Sequence, residues 1–430
     1  MDANSLCINR FKAQANKFSG IISKNLSRPE QKFFKQVIYG IQASKDVKVS
    51  NISRSLKEPI KLIKTEDRLC RHFAAKDYTE AINRQILRLG DDKITEDMVI
   101  AIDPGDIRKP YARDMEKLCG IWDGSKGEKG RGYHLCQVTA ANLEHNKIVP
   151  LYCEAYSSEE EGYVNSTEKM KQIIALVKSY IGTTGTWAID RAGDNNELIQ
   201  YFEDESLEFV TRLKLNRWLC FKNRKGVEMM AQAERIDRHI DLPYKAIIIK
   251  IEEGKEEKLV IEYGIAEVAF EKNKDQKYYA VIIRGFGEKP MILLTNKTVN
   301  VHVSKDVYRI VEIYLTRWKC DECYRYIKQS YNLEDVRLMS LNGIKNITAF
   351  VHAIAYFTSI FLGVKLKLKV MVEKIFILSK RFFGVPTFFN YAMADGIYEL
   401  LKHATTGLDV NYKGKLGKPP DQFQLSLCIP

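Results

Sequence analysis

Several absences narrow the chemistry open to this chain. No Gly-x4-Gly-Lys-Ser/Thr run occurs, so the glycine-punctuated stretch Gly120 to Gly132 does not form a phosphate-cradling P-loop. The nine cysteines have an odd count and no framework spacing, which argues against a disulfide scaffold and for a reducing, cytoplasmic setting. Cys320-x-x-Cys323 has no second Cys-x-x-Cys or paired-histidine motif to complete a zinc site, so the two thiols read as helix packing. There is no internal repeat, no low-complexity segment and no long polybasic tail. Met1-Asp-Ala-Asn-Ser offers neither the charged start nor the apolar stretch of a secretory signal, so none is expected. One apolar run, Ile347 to Val364, approaches membrane-spanning length. Thr348, His352, Thr358 and Ser359 within it favour a buried C-terminal helix, and no membrane partner is expected.

What is present suits a large cytoplasmic protein with a polyanionic partner. The 430 residues are enough for two or three domains, and 45% hydrophobic content supports a sizeable core. A net charge of +12 favours nucleic acid through counterion release.

Residues up to about Gly90 read as helices. Ser27-Arg-Pro-Glu opens one, and Phe33, Phe34, Val37, Ile38 and Ile41 recur at helical spacing behind it. Val49 to Leu56 and a second helix opened by a Thr65 cap have the look of a helix-turn-helix, whose basic second helix suits a major groove. Strands follow: Met98 to Asp103, then Tyr133 to Ala140 after the basic Gly120–Gly132 loop, then Lys147 to Ala155. An amphipathic helix, Ser166 to Ile181, leads to the strand Thr186 to Asp190, a helix Asn195 to Phe202 and a strand Leu207 to Lys214. Alternating polar and apolar residues from about Leu215 to Asn296 predict a β insertion. A helix from about Lys305 to Tyr331, further helices to about His403 and an extended tail from Leu416 complete the chain.

Three acids stand out. Asp103 and Asp190 each end an apolar strand-like run. Asp321 lies on the Lys305–Tyr331 helix, where turns of about 100° per residue put Arg317, Asp321 and Lys328 within about 60° of Tyr314. Glu322, at about +80°, falls off that stripe. Phosphodiester chemistry needs a few carboxylates converging from separate elements on hard divalent cations, and such a set meets the requirement. Asp106 and Asp194 read as loop or capping residues.

The spacing Tyr314-x2-Arg317-x3-Asp321-x6-Lys328 resembles the YREK signature of bacterial insertion-sequence transposases of the DDE, cut-and-paste, hairpin-forming type. Ala101-Ile-Asp103-Pro-Gly-Asp-Ile-Arg-Lys109 and Trp187-Ala-Ile-Asp190-Arg191-Ala-Gly-Asp194 resemble that family's first two catalytic blocks. The chain departs in one letter, Asp321 standing where the family has glutamate. The resemblance implies an α/β fold: a ribonuclease H-like catalytic core with a β-rich insertion, a helical N-terminal domain and a helical C-terminal region. The predicted order β-β-β-α-β-α-β agrees with it. The implied domains are 1–95 for DNA binding, 96–214 for the first part of the core, 215–300 for the insertion, 301–340 for the helix completing the site and 341–430 for the C-terminal region and tail. The resemblance further implies Mg2+ or Mn2+ on Asp103, Asp190 and Asp321. Tyr314, Arg317, Lys328 and Trp318 would hold the DNA end. The partners would be double-stranded DNA, as terminal inverted repeats and target, and a second copy in a DNA-bound dimer. The location would be the bacterial cytoplasm, at the nucleoid. The alternative is a domesticated, catalytically reduced DNA-binding protein of the same fold.

Overall fold

The computed structural model describes residues 3–123, 127–144, 147–252, 255–362, 371, 375, 378–379 and 390–408. The predicted tail from Leu416 lies outside them.

The chain opens with helices α1 (Ala3–Ile22), α2 (Arg28–Ser44), α3 (Val49–Leu56), α4 (Leu62–Ala75) and α5 (Thr79–Gly90). Glu30 reaches back at the start of α2 and accepts from the Ser27 backbone N–H at 2.8 Å and its hydroxyl at 2.7 Å. Phe33, Phe34, Val37, Ile38 and Ile41 are all buried, as their spacing predicts. Each phenylalanine contributes about 2–3 kcal/mol by burial. Thr65 is not a cap: α4 begins at Leu62, and the Thr65 hydroxyl donates to Glu58 at 2.8 Å from inside the helix.

One mixed sheet follows. Its strands are β1 (Val99–Arg108), β2 (Cys119–Asp123), β3 (Glu128–Ala141), β4 (Ile148–Tyr156), β5 (Thr186–Ile189) and β6 (Phe209–Arg212). Helix α6 (Ser166–Ile181) crosses from β4 to β5, and α7 (Asn196–Asp204) from β5 to β6. β1, β3 and β4 are antiparallel neighbours, whereas β5 pairs parallel with β1, and β6 parallel with β5. Two expectations need correction here. β1 does not end at Asp103 but runs on to Arg108, because its register with β3 continues from Val99↔Ala141 to Arg108↔Gly132. Pro104 is tolerated inside it because pairing with β5 stops at Ala101, leaving no ladder partner on that edge. The Gly120–Gly132 stretch is not simply a loop: its ends form β2 and the start of β3, paired from Cys119↔Gly132 to Asp123↔Glu128.

The insertion contains β7 (Trp218–Lys222), β8 (Glu228–Gln232), β9 (Tyr244–Glu252), β10 (Lys255–Phe270), β11 (Asn273–Arg284) and β12 (Met291–Thr295). It is joined edge to edge to the core, since β12 pairs antiparallel with β6 and continues the sheet through β11, β10, β7 and β8.

The helix expected over 305–331 is interrupted. Helix α8 (Ser304–Thr316) and helix α9 (Trp318–Ser330) meet at Arg317, whose backbone stays in the helical region at φ −52 and ψ −33. Beyond them lie α10 (Leu341–Tyr356), a wide helical turn Phe357–Leu362 and α11 (Asn390–Lys402). Leu341–Leu362 is long and apolar enough to cross a membrane, and it is buried along its length within the fold. α10 packs on β4, α5 and α4, which ties the C-terminal region to the N-terminal helices.

Candidate active site

Strand alternation fixes where the first two acids point. Val99, Ala188 and Val210 pack with Val307, Ile310, Val311 and Tyr314 of α8, whereas Ile100, Ile102, Trp187 and Ile189 pack into the core shared with α6 and α7. Asp103 shares the pleat of Val99, and Asp190 that of Ala188, so both acids fall on the α8–α9 side. The parallel register runs from Val99↔Thr186 to Ala101↔Ala188; Asp103 lies two residues further along β1, and Asp190 directly follows the end of β5. Asp190 also caps the turn Arg191–Gly193, its carboxylate accepting from the Ala192 N–H at 2.8 Å.

Asp321 enters from the first turn of α9. Arg317 lies between it and the strand acids. Its guanidinium donates to both Asp321 oxygens, at 3.0 and 3.4 Å, and stands 3.7 Å from Asp103. Burial pushes the Asp103 carboxyl up to about 8; the Asp321 carboxylate adds to this, Arg317 opposes it, and Asp190 adds further. Burial also raises Asp321, with Arg317 opposing and Asp190 reinforcing. Burial works against the charged form of Arg317, but Asp321 first, then Tyr314, Asp103 and Asp190, raise its pKa.

The other residues of the stripe do not share one exposed face. Tyr314 is 2% exposed and lies in the α8 core, with the Arg317 guanidinium 5.6 Å from its ring centre. Arg317 itself is 7% exposed and turned toward the acids. Trp318 is 39% exposed and meets Phe286 edge to face at 6.4 Å. Lys328, one α9 length away, pairs with Glu334 at 2.9 Å and approaches Asp106 at 3.9 Å. Asp106 is thus a residue within β1, not a loop acid. Asp194 is buried beside Arg217 at 3.5 Å and accepts from the Lys214 N–H at 2.7 Å, a structural role consistent with its expected place. Cys323 is buried against Gln137, whose amide lies 3.2 Å from its sulfur; the Cys320 side chain lies outside the described residues.

Sequence reasoning missed a hub at the end of α9. Buried Lys109 donates to the Glu334 and Val336 carbonyls, and burial pushes its pKa down to about 8 against the pull of Asp335 and Glu334. Lys48, which precedes α3, pairs with Asp335 at 2.6 Å, and the Val47 N–H donates to the Tyr331 carbonyl at 3.1 Å. The N-terminal helices are therefore bonded directly to the segment that ends α9.

Among the described residues, no group of three or more His, Cys, Asp or Glu stands close enough to hold a metal ion as arranged here. The donor chemistry still suits a hard cation: carboxylate oxygens, those of Asp103 and Asp321 raised in pKa by burial and by neighbouring acids, with a guanidinium as internal counter-charge.

No protein-family model matches the chain, and no curated protein matches it. Among solved structures, the chain is similar to a piggyBac transposase synaptic complex with hairpin DNA. The identity is 10%, the match covers 94% of this chain and 83% of that one, and the TM-score is 0.40.

Proposed function

We propose that the chain is an insertion-sequence DNA transposase with a ribonuclease H-like core, cutting element ends and joining them to target DNA. One observation carries the reading: Arg317, at the α8–α9 junction, pairs with Asp321 at 3.0 Å and stands 3.7 Å from Asp103, while Asp190 follows the end of β5, the parallel neighbour of β1. The antiparallel β4-β3-β1 group followed by parallel β5 and β6 supports the core assignment. The +12 charge supports a DNA partner.

Asp103, Asp190 and Asp321 would hold Mg2+ or Mn2+, which activates the attacking oxygen and stabilises the leaving one. The protein's own residues set up that chemistry. The sheet fixes Asp103 and Asp190, while the α8–α9 junction sets the approach of Asp321. Arg317 holds Asp321 in place and offsets the buried negative charge. Lys328 stands ready to exchange Glu334 for a DNA phosphate. The terminal repeats and the target would lie across this face, with a second copy completing the DNA-bound dimer.

The test is strand cleavage on a terminal-repeat duplex with Mg2+ or Mn2+. D103N and D190N should bind the duplex and not cut it; cutting at the parent rate by both variants would sink the reading. A second reading has its own observation, the Asp321 side chain engaged by Arg317 where the family has a longer glutamate. In that case the protein binds DNA without cutting. A parent that binds the repeat but never cleaves, and is not activated by D321E, would favour it.

A further inference from the structure

The β2–β3 ribbon has two unlike faces. Ile121 and Cys119 are buried on one side, and the Arg108–Glu128 ion pair lies there at 3.4 Å. Gly132 lets β3 pass close to β1 on that side, since a Cβ there would stand 2.1 Å from the Ile107 carbonyl. On the other side the register pairs Trp122 with Lys129 and Gly120 with Arg131, so the four residues share one face. Trp122 is 61% exposed, Lys129 and Arg131 are exposed, and a Cβ on Gly120 would meet nothing within 4 Å. No ion pair engages either cation among the described residues.

Alternation along β3 relates this face to the acids. Gln137 pairs with Asp103, and residues 131 and 129 follow at even steps, so Trp122, Lys129 and Arg131 lie on the sheet face of Asp103. At 3.3–3.4 Å per residue, Arg131 stands about 20 Å and Lys129 about 27 Å from the level of Asp103.

We propose that this face binds a DNA strand with unpaired bases, Trp122 stacking on a base while Lys129 and Arg131 take phosphates of a strand leading from the acids. Duplex bases are stacked on one another and offer an indole nothing to cover, whereas every unpaired base has a free π-face. Gly120 keeps the surface beside the indole open, and the cations supply charge complementarity to the strand. The inference rests on the nucleic-acid reading above and adds a strand-recognition site to it.

The experiment compares the full chain on two oligonucleotides: a blunt duplex of about 20 base pairs, and the same duplex with a tail of about 8 thymidines, within the site size of single-strand binders. The parent should bind the tailed form more tightly, with quenching of tryptophan fluorescence. W122A should lose about 5- to 150-fold on the tailed form, the effect of removing one base–aromatic stack, and change little on the blunt one. W122F should retain most of the affinity with less quenching. K129Q combined with R131Q should lower the salt slope on the tail by about 1.4, or 0.7 for each phosphate released. A parent that binds neither DNA sinks both readings. A parent that binds both alike, with W122A no weaker on the tail, sinks this one alone. So does a W122A defect that appears as loss of a protein dimer rather than of DNA binding.

Discussion

Replacing Arg317 by glutamine tests the acid cluster without touching an acid. The guanidinium is nearly buried, makes two hydrogen bonds to Asp321 at 3.0 and 3.4 Å, and stands 3.7 Å from Asp103. Removing one partner of a fully buried pair costs about 3–5 kcal/mol, because the other charge is left uncompensated. The Asp321 side chain is 38% exposed and water screens part of its charge, so about 2–3 kcal/mol is expected here. Urea denaturation followed by circular dichroism, in EDTA, should move the R317Q midpoint well below that of the parent. Millimolar Mg2+ or Mn2+ should then restore more stability to R317Q than to the parent, because the cation takes over the lost counter-charge. A site filled at 100 times its dissociation constant regains about 2.7 kcal/mol. Adding D103N and D321N should remove that rescue. If R317Q unfolds in EDTA at the parent's midpoint, the guanidinium is not holding the carboxylates together. If R317Q is weakened but gains no more from divalent cations than the parent does, these carboxylates are not a metal site.

Three further outcomes follow from particular contacts. Asp321→Ala should abolish divalent-dependent cleavage and Glu322→Ala should leave most of it, while Asp321→Glu should raise it; a dead Glu322→Ala beside an active Asp321→Ala would place the third ligand one residue on. Lys328→Ala should lower the salt slope of duplex binding by about 0.9, whereas Arg317→Ala should leave the slope unchanged because its cation is buried; equal effects in filter-binding titrations would show that both reach the DNA. His352 is buried in α10, and burial pushes its imidazole down from 6.5 to about 3. A depressed histidine takes up its proton in the unfolded chain first, so stability present above pH 6.5 is lost as pH falls toward 3, at about 1.4 kcal/mol per unit. His352→Leu should therefore flatten the acid limb of urea midpoints between pH 6.5 and 4, and an unchanged limb would refute the assignment.

Local pattern alone determined a good deal of this protein. The helix predicted over Ser166 to Ile181 has those bounds, because Met170, Ile173, Ile174 and Val177 mark its buried face within a few turns. The capped start at Ser27 and the apolar runs before Asp103 and Asp190 were legible for the same reason: each depends on neighbours in sequence. Tertiary structure decided what depends on distant residues. β1 runs past Asp103 because β3 goes on pairing with it, and the insertion joins the core because β12 meets β6. The wheel put Tyr314, Arg317 and Lys328 on one stripe, yet Tyr314 is packed against β5 and β6, Arg317 turns inward to the acids and Lys328 is held by Glu334. An angle about a helix axis says which residues share a side; it does not say whether that side meets the core, an acid cluster or water. That choice is set by the charges and apolar surface that other strands bring to the helix, which is also why Lys109, Lys48 and the open face of Trp122 emerged only once the chain was folded.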